Sequence, residues 1–94
     1  MSEIKETIDM DKIDIIFESM PDDTVFYNEN NKAITWRELR GELAEKILKL
    51  TPKLHKAGIR RVEVGSINWF YERRKTSGRF LNLDSMFIAR LLKR

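Results

Sequence analysis

Residues 35–50 read TWRELRGELAEKILKL, and this stretch decides the fold because three independent signals in it agree on an amphipathic helix. Trp36, Leu39, Leu43, Ile47 and Leu50 recur at spacings of three and four, so at about 100° per residue they fall on one stripe that must face a core. Thr35 stands three residues before Glu38, the arrangement of a capping box in which each side chain satisfies the other residue's backbone N–H. On the opposite face Glu42 precedes Lys46 and Glu45 precedes Lys49 by one helical repeat, pairs worth about 0.2–0.5 kcal/mol each. Gly41 interrupts the helix at a cost of about 1 kcal/mol relative to Ala, explained by a close backbone approach or simply carried.

On its N-terminal side the helix is preceded by a hairpin pattern. Residues 24–27 are strand-favouring, Asn28, Glu29, Asn30 and Asn31 form a polar turn, and residues 32–35 return antiparallel into the helix. Before the hairpin, Ile13, Ile16, Phe17 and Met20 recur at helical spacing. Asp9 and Asp11 stand where a first turn favours acid, and Pro21 marks the end, so a short helix is expected from residue 9 or 11 to residue 20. Residues 1–8 are polar and expected to be flexible.

On its C-terminal side Thr51 and Pro52 either kink the helix or start a new one that runs to Ala57 and stops at Gly58. Residues 59–64 alternate, with Val62 and Val64 on one side and Arg61 and Glu63 on the other, the pattern of a half-buried strand that Gly65 and Ser66 end. Residues 67–75 fit two periods. As a helix capped by Ser66 they bury Ile67, Phe70 and Tyr71 and leave Trp69 and Arg73 outside, whereas as a strand they align Ile67, Trp69 and Tyr71; the helix is preferred. Thr76, Ser77 and Gly78 form a turn, residues 79–82 are extended, and Asp84 caps a final helix in which Phe87, Ile88, Leu91 and Leu92 share a wide apolar face and Leu83 staples against Ile88. The fold class expected is α+β: a small single domain, residues 1–94, of three to four helices with a short antiparallel sheet or wing.

Composition narrows the function. With no cysteine in 94 residues, disulfides, a cysteine nucleophile and a thiolate metal site are all excluded. A lone His55 reads as a surface histidine, Asp9, Asp11 and Asp14 read as helix-start acids rather than a calcium loop, and the scattered glycines make no phosphate cradle. Neither an enzyme nor a cofactor or metal site is therefore expected. No apolar run approaches the length that spans a bilayer and the acidic start is unlike a signal peptide, so the expectation is a cytoplasmic protein with no membrane partner.

The net charge of +3 conceals a gradient. Residues 1–50 carry seven basic and twelve acidic side chains, net −5, whereas residues 51–94 carry eleven and three, net +8. Either the halves attract each other or the second half has an acidic partner, nucleic acid first among them and DNA ahead of RNA. Arg73, Arg74, Lys75 and Arg79 crowd around aromatic residues and a turn, so they are the candidate phosphate contacts. Trp69 is the candidate stacking residue, Ser77 a turn donor, and Arg60 and Arg61 an outlying basic pair. The alternative is a solvated charged loop.

Two family resemblances follow from these residues. The hairpin and helix of residues 25–50 are similar to the start of adenylate-forming enzymes; the several hundred residues of that catalytic machinery are not in this sequence, and the likeness is read as one supersecondary unit reused. From residue 51 onward the pattern resembles the small winged helix-turn-helix domains of excisionases and MerR-type regulators. The matching parts are residues 52–57, residues 66–75 with Trp69, the Gly78-Arg79-Phe80 turn and residues 84–92. The stretch 59–65 is longer than the tight turn of those domains. The resemblance implies a DNA-binding regulatory protein with a recognition helix at residues 66–75. A protein-binding module docking on an acidic surface through the same residues, an inhibitor or adaptor of the kind mobile elements encode, is the second expectation.

Overall fold

The computed structural model describes residues 13–93. Its centre is a four-stranded sheet of β1 (Asp14–Phe17), β4 (Arg61–Ser66), β5 (Arg79–Asn82) and β6 (Phe87–Leu92) in the order β1-β4-β6-β5. β1 runs parallel to β4, and β6 is antiparallel to both β4 and β5. A separate antiparallel hairpin of β2 (Val25–Tyr27) and β3 (Ala33–Thr35) leads into α1 (Trp36–Lys49), which is followed by α2 (Thr51–Lys56) and, after β4, by α3 (Ile67–Glu72). The chain is α+β, with three helices and six strands among the described residues.

The organising helix forms as its sequence requires. The Thr35 hydroxyl accepts from the Glu38 N–H at 3.3 Å and the Glu38 carboxylate accepts from the Thr35 N–H at 3.1 Å, completing the capping box. Trp36, Leu39, Leu43 and Ile47 are all buried. At about 1.5–3 kcal/mol per buried side chain, this stripe outweighs the roughly 1 kcal/mol of the cap. Packing therefore places the helix and the cap sets where it begins. Nothing approaches within 4 Å of the Cβ position at Gly41, so its helix cost is carried without a packing return. Leu50 stands at the N-cap position of α2 without a side-chain capping bond, Pro52 lies in the first turn, and Gly58 follows the helix at φ +84°, a conformation that favours glycine.

The front face of the sheet presents Val62 and Val64 from β4 and Phe87 and Ala89 from β6 to α1 and the hairpin, flanked by Ile15, Phe17, Leu81 and Leu91. Trp36 sits at the meeting point, its ring centroid 5.1 Å from Phe87, 5.9 Å from Phe26 and 6.2 Å from Phe17. One aromatic cluster thus ties together α1, the hairpin, β1 and β6.

Three local expectations are corrected. The predicted helix through residues 13–20 is strand β1, and Asp9 and Asp11 lie outside the described residues. Ile13, Ile15 and Phe17 turn to the core by alternation while Ile16 is exposed, because parallel pairing with β4 satisfies the backbone and the hairpin, α1 and α2 supply the crossover that such pairing needs. The predicted final helix at residues 84–92 is strand β6. As an inner strand covered on both faces, β6 is apolar at nearly every position and lacks the alternation that marks a strand in sequence. Asp84 caps a turn instead, its Oδ1 accepting from the N–H groups of Met86 and Phe87 at 2.8 Å each. Gly65 and Ser66 extend β4 rather than ending it.

Candidate nucleic-acid interface

The back face of the sheet carries the other alternate residues: Asp14 and Ile16 of β1, Arg61, Glu63 and Gly65 of β4, Ile88 and Arg90 of β6, and Phe80 of β5. Across it lie α3 and the segment that follows. Ser66 caps α3, its hydroxyl accepting from the Trp69 N–H at 3.3 Å, while the Ser66 N–H donates to Glu18 Oε1 at 2.9 Å. The preferred helix is thus present, but shorter than residues 67–75 and differently faced. Phe70 is buried and meets Phe80 edge-on at 5.4 Å, whereas Ile67 and Tyr71, expected inside, are exposed. The reason lies in Gly65. With no side chain there, the Trp69 indole lies directly on the strand backbone and claims the inner side of the helix.

The candidate residues separate into four groups. Arg73 and Arg74 are exposed at the C-terminal end of α3, Arg73 with its guanidinium 4.9 Å from the Trp69 ring centroid. Arg74 takes φ +56°, the left-handed position where a helix end ordinarily has glycine, while the Lys75 N–H closes the turn on the Phe70 carbonyl at 2.9 Å. Lys75 and Ser77 are held by internal bonds: Lys75 Nζ donates to Glu63 Oε2 at 2.8 Å, and the Ser77 carbonyl accepts from Arg90 Nε at 3.0 Å. Arg79 and Arg60 stand apart. Arg79 alternates to the front side of edge strand β5, and Arg60 donates to the carbonyls of His55 and Ile59 at the end of α2. Arg61 remains on the back face, exposed at the far end of β4.

Reading by residue type missed Glu63 and Arg90. Glu63, expected on a wet strand face, is only 6% exposed and accepts from Lys75 on one oxygen and from Arg90 Nη1 at 3.3 Å on the other. Burial by itself raises its pKa, but the hydrogen bonds and charges of Lys75 and Arg90 outweigh this and hold the carboxyl below its ordinary value. This triad fastens the 73–78 segment to the sheet. Its signal in sequence was weak, since Arg90 lay in a segment that reads as helix and Glu63 on an alternation that reads as solvent-facing.

The charge gradient along the sequence is not a division between the two layers. Asp22, Asp23, Glu29, Glu38, Glu42 and Glu45 are exposed on the front layer together with Lys32, Arg37, Lys46, Lys49, Lys53 and Lys56, while Arg61, Arg73 and Arg74 lie behind the sheet. Among the described residues the ion pairs are Arg40–Asp22, Lys75–Glu63 and Arg90–Glu63, so none joins the first half of the chain to the second. A shallow cleft of about 290 Å³ on the front layer is lined by Glu29, Glu42 and Asp84 with Lys46, a setting unsuited to phosphate.

Fold and site together define a small α+β domain with a mixed-charge front and a back that carries exposed arginines beside aromatic side chains. No protein-family model, curated protein or solved structure matches the chain. Of the stretches compared with winged helix-turn-helix domains, residues 67–72 form helix α3 and residues 87–92 form strand β6. Among the described residues no helix is long and apolar enough to cross a membrane.

Proposed function

We propose that this is a small cytoplasmic nucleic-acid-binding accessory or regulatory protein that acts by binding rather than catalysis, through Arg73, Arg74 and Arg61 on the back of the sheet. The observation that supports this most is the distribution of ion pairs. The eleven basic residues of the second half face three acids in that half, and among the described residues they take no ion-pair partner from the first. Exposed like charges left without internal partners favour an external polyanion. Arg74 adds a second argument, since a non-glycine residue held at positive φ costs about 1 kcal/mol or more and such costs cluster at functional positions.

A salt titration on mixed-sequence duplex and single-stranded DNA tests the proposal. Phosphate contacts make log K fall linearly with log salt, at about −0.9 per contact on duplex and −0.7 on a single strand. Replacing Arg73 and Arg74 together by Ala is expected to weaken binding uniformly across sequences and to reduce the slope magnitude by up to about 2. Absence of binding, or an unchanged slope in the double variant, excludes the interface. The second reading, a module docking on an acidic protein surface, draws on the apolar exposure of Ile67 and Tyr71 beside the same arginines and is selected if no nucleic acid binds.

A further inference from the structure

Resting on the reading above, we infer that the ligand is a single strand rather than a duplex, with an unpaired base stacked on Tyr71 and the flanking phosphates held by Arg73 and Arg74. Tyr71 is 64% exposed, and Ile67, one turn earlier, is 53% exposed, so α3 offers solvent an aromatic ring and an aliphatic flank immediately before two arginines that make no ion pair among the described residues. An aromatic face beside phosphate-binding cations is what a single strand requires: every base has a π-face, and in a single strand that face is free.

The geometry disfavours a duplex. α3 has six residues and so rises only about 9 Å, and none of its side chains is basic. A helix that reads the major groove brings donors to base edges along its own length. Here the donors exposed to solvent are only the Asn68 amide and the Tyr71 hydroxyl, and Glu72 places a carboxylate where phosphates would crowd. The cations follow the end of the helix, as expected for a backbone that passes the helix rather than admitting it into a groove.

Tyr71, not Trp69, is the stacking residue. The Trp69 ring is only partly exposed, with Cε3, Cδ2 and Cζ3 against Gly65 and the Arg73 guanidinium 4.9 Å from its centroid, whereas Tyr71 is exposed. Phe80 is 37% exposed but its edge-on contact with Phe70 anchors it to the sheet.

The test measures binding of the full chain by fluorescence anisotropy to an oligo-dT of about 15 nucleotides, an oligo-U of the same length and a mixed-sequence duplex. Oligo-dT is expected to bind more tightly than the duplex at matched salt. Tyr71→Ala weakens oligo-dT binding by about 5- to 100-fold and leaves duplex binding unchanged. Tyr71→Phe, which keeps the ring, stays within about twofold of the wild type. Oligo-U binding that responds to Tyr71→Ala in the same way also sustains the inference. Duplex binding equal to or tighter than oligo-dT, or equal losses in Tyr71→Phe and Tyr71→Ala, overturns the stacking inference while the basic interface stands. No binding to any of the three probes overturns both.

Discussion

The indole of Trp69 occupies the space a side chain at residue 65 would need: Cδ2 and Cζ3 lie 2.9 Å from the Cβ position of Gly65, and Cε3 lies closer still. This contact sets how α3 rotates on the sheet and thereby which residues reach solvent. Gly65→Ala is expected to cost about 1–3 kcal/mol by overpacking, and Trp69→Ala, removing a half-buried ring, about half the 3–5 kcal/mol of a fully buried one. In the Trp69→Ala background the Gly65→Ala penalty should largely vanish. Denaturant melts of the four proteins form a double-mutant cycle, and additive penalties would show that the contact does not set the helix.

Glu63 should make stability depend on acid. Because its folded pKa is depressed by Lys75 and Arg90 against the opposing effect of burial, the stabilisation is fully present above the ordinary glutamate value of 4.5 and is lost as pH falls through the lower folded value. Glu63→Gln is expected to cost about 1.5–3 kcal/mol at neutral pH, less than breaking a fully buried pair because the Lys75 side chain is 37% exposed and can turn to water. Urea melts across the acid range should show the gap between wild type and variant shrinking as pH falls from the ordinary value through the lower folded value; a gap unchanged at the acid end of that range contradicts the triad.

Arg74 sets stability against binding. Glycine relieves the strain at φ +56°, so Arg74→Gly should stabilise the fold by about 0.5–1 kcal/mol while weakening nucleic-acid binding. Thermal midpoints and anisotropy titrations on the same preparations check both halves, and a variant that gains stability without losing affinity removes Arg74 from the interface.

The helix at residues 36–49 gives a comparison between its two faces. Thr35→Ala should cost about 1 kcal/mol through the capping box, Leu43→Ala, fully buried, about 2–5 kcal/mol, and exposed Glu45→Ala within about 0.5 kcal/mol of zero. Equal midpoints for Leu43→Ala and Glu45→Ala would mean that the stripe does not face the core.

What the sequence determined by itself was the local chemistry of self-contained units. The capping box, the 3.6-residue stripe of α1, the Asn-rich hairpin turn and the stop at Gly58 each rest on interactions within a few residues, and each formed where its spacing required. Tertiary structure decided the strands at both ends and the working surface. Residues 13–17 and 87–92 carry apolar runs whose spacing fits a helix as well as a strand, and only the ladders offered by β4 and β5 resolve them. The candidate site divides the same way. The arginines were legible as a cluster, but whether a given cation is spent on Glu63, stacked on Trp69 or left free at Arg74 depends on what lies across the sheet, at sequence separations that no local pattern records.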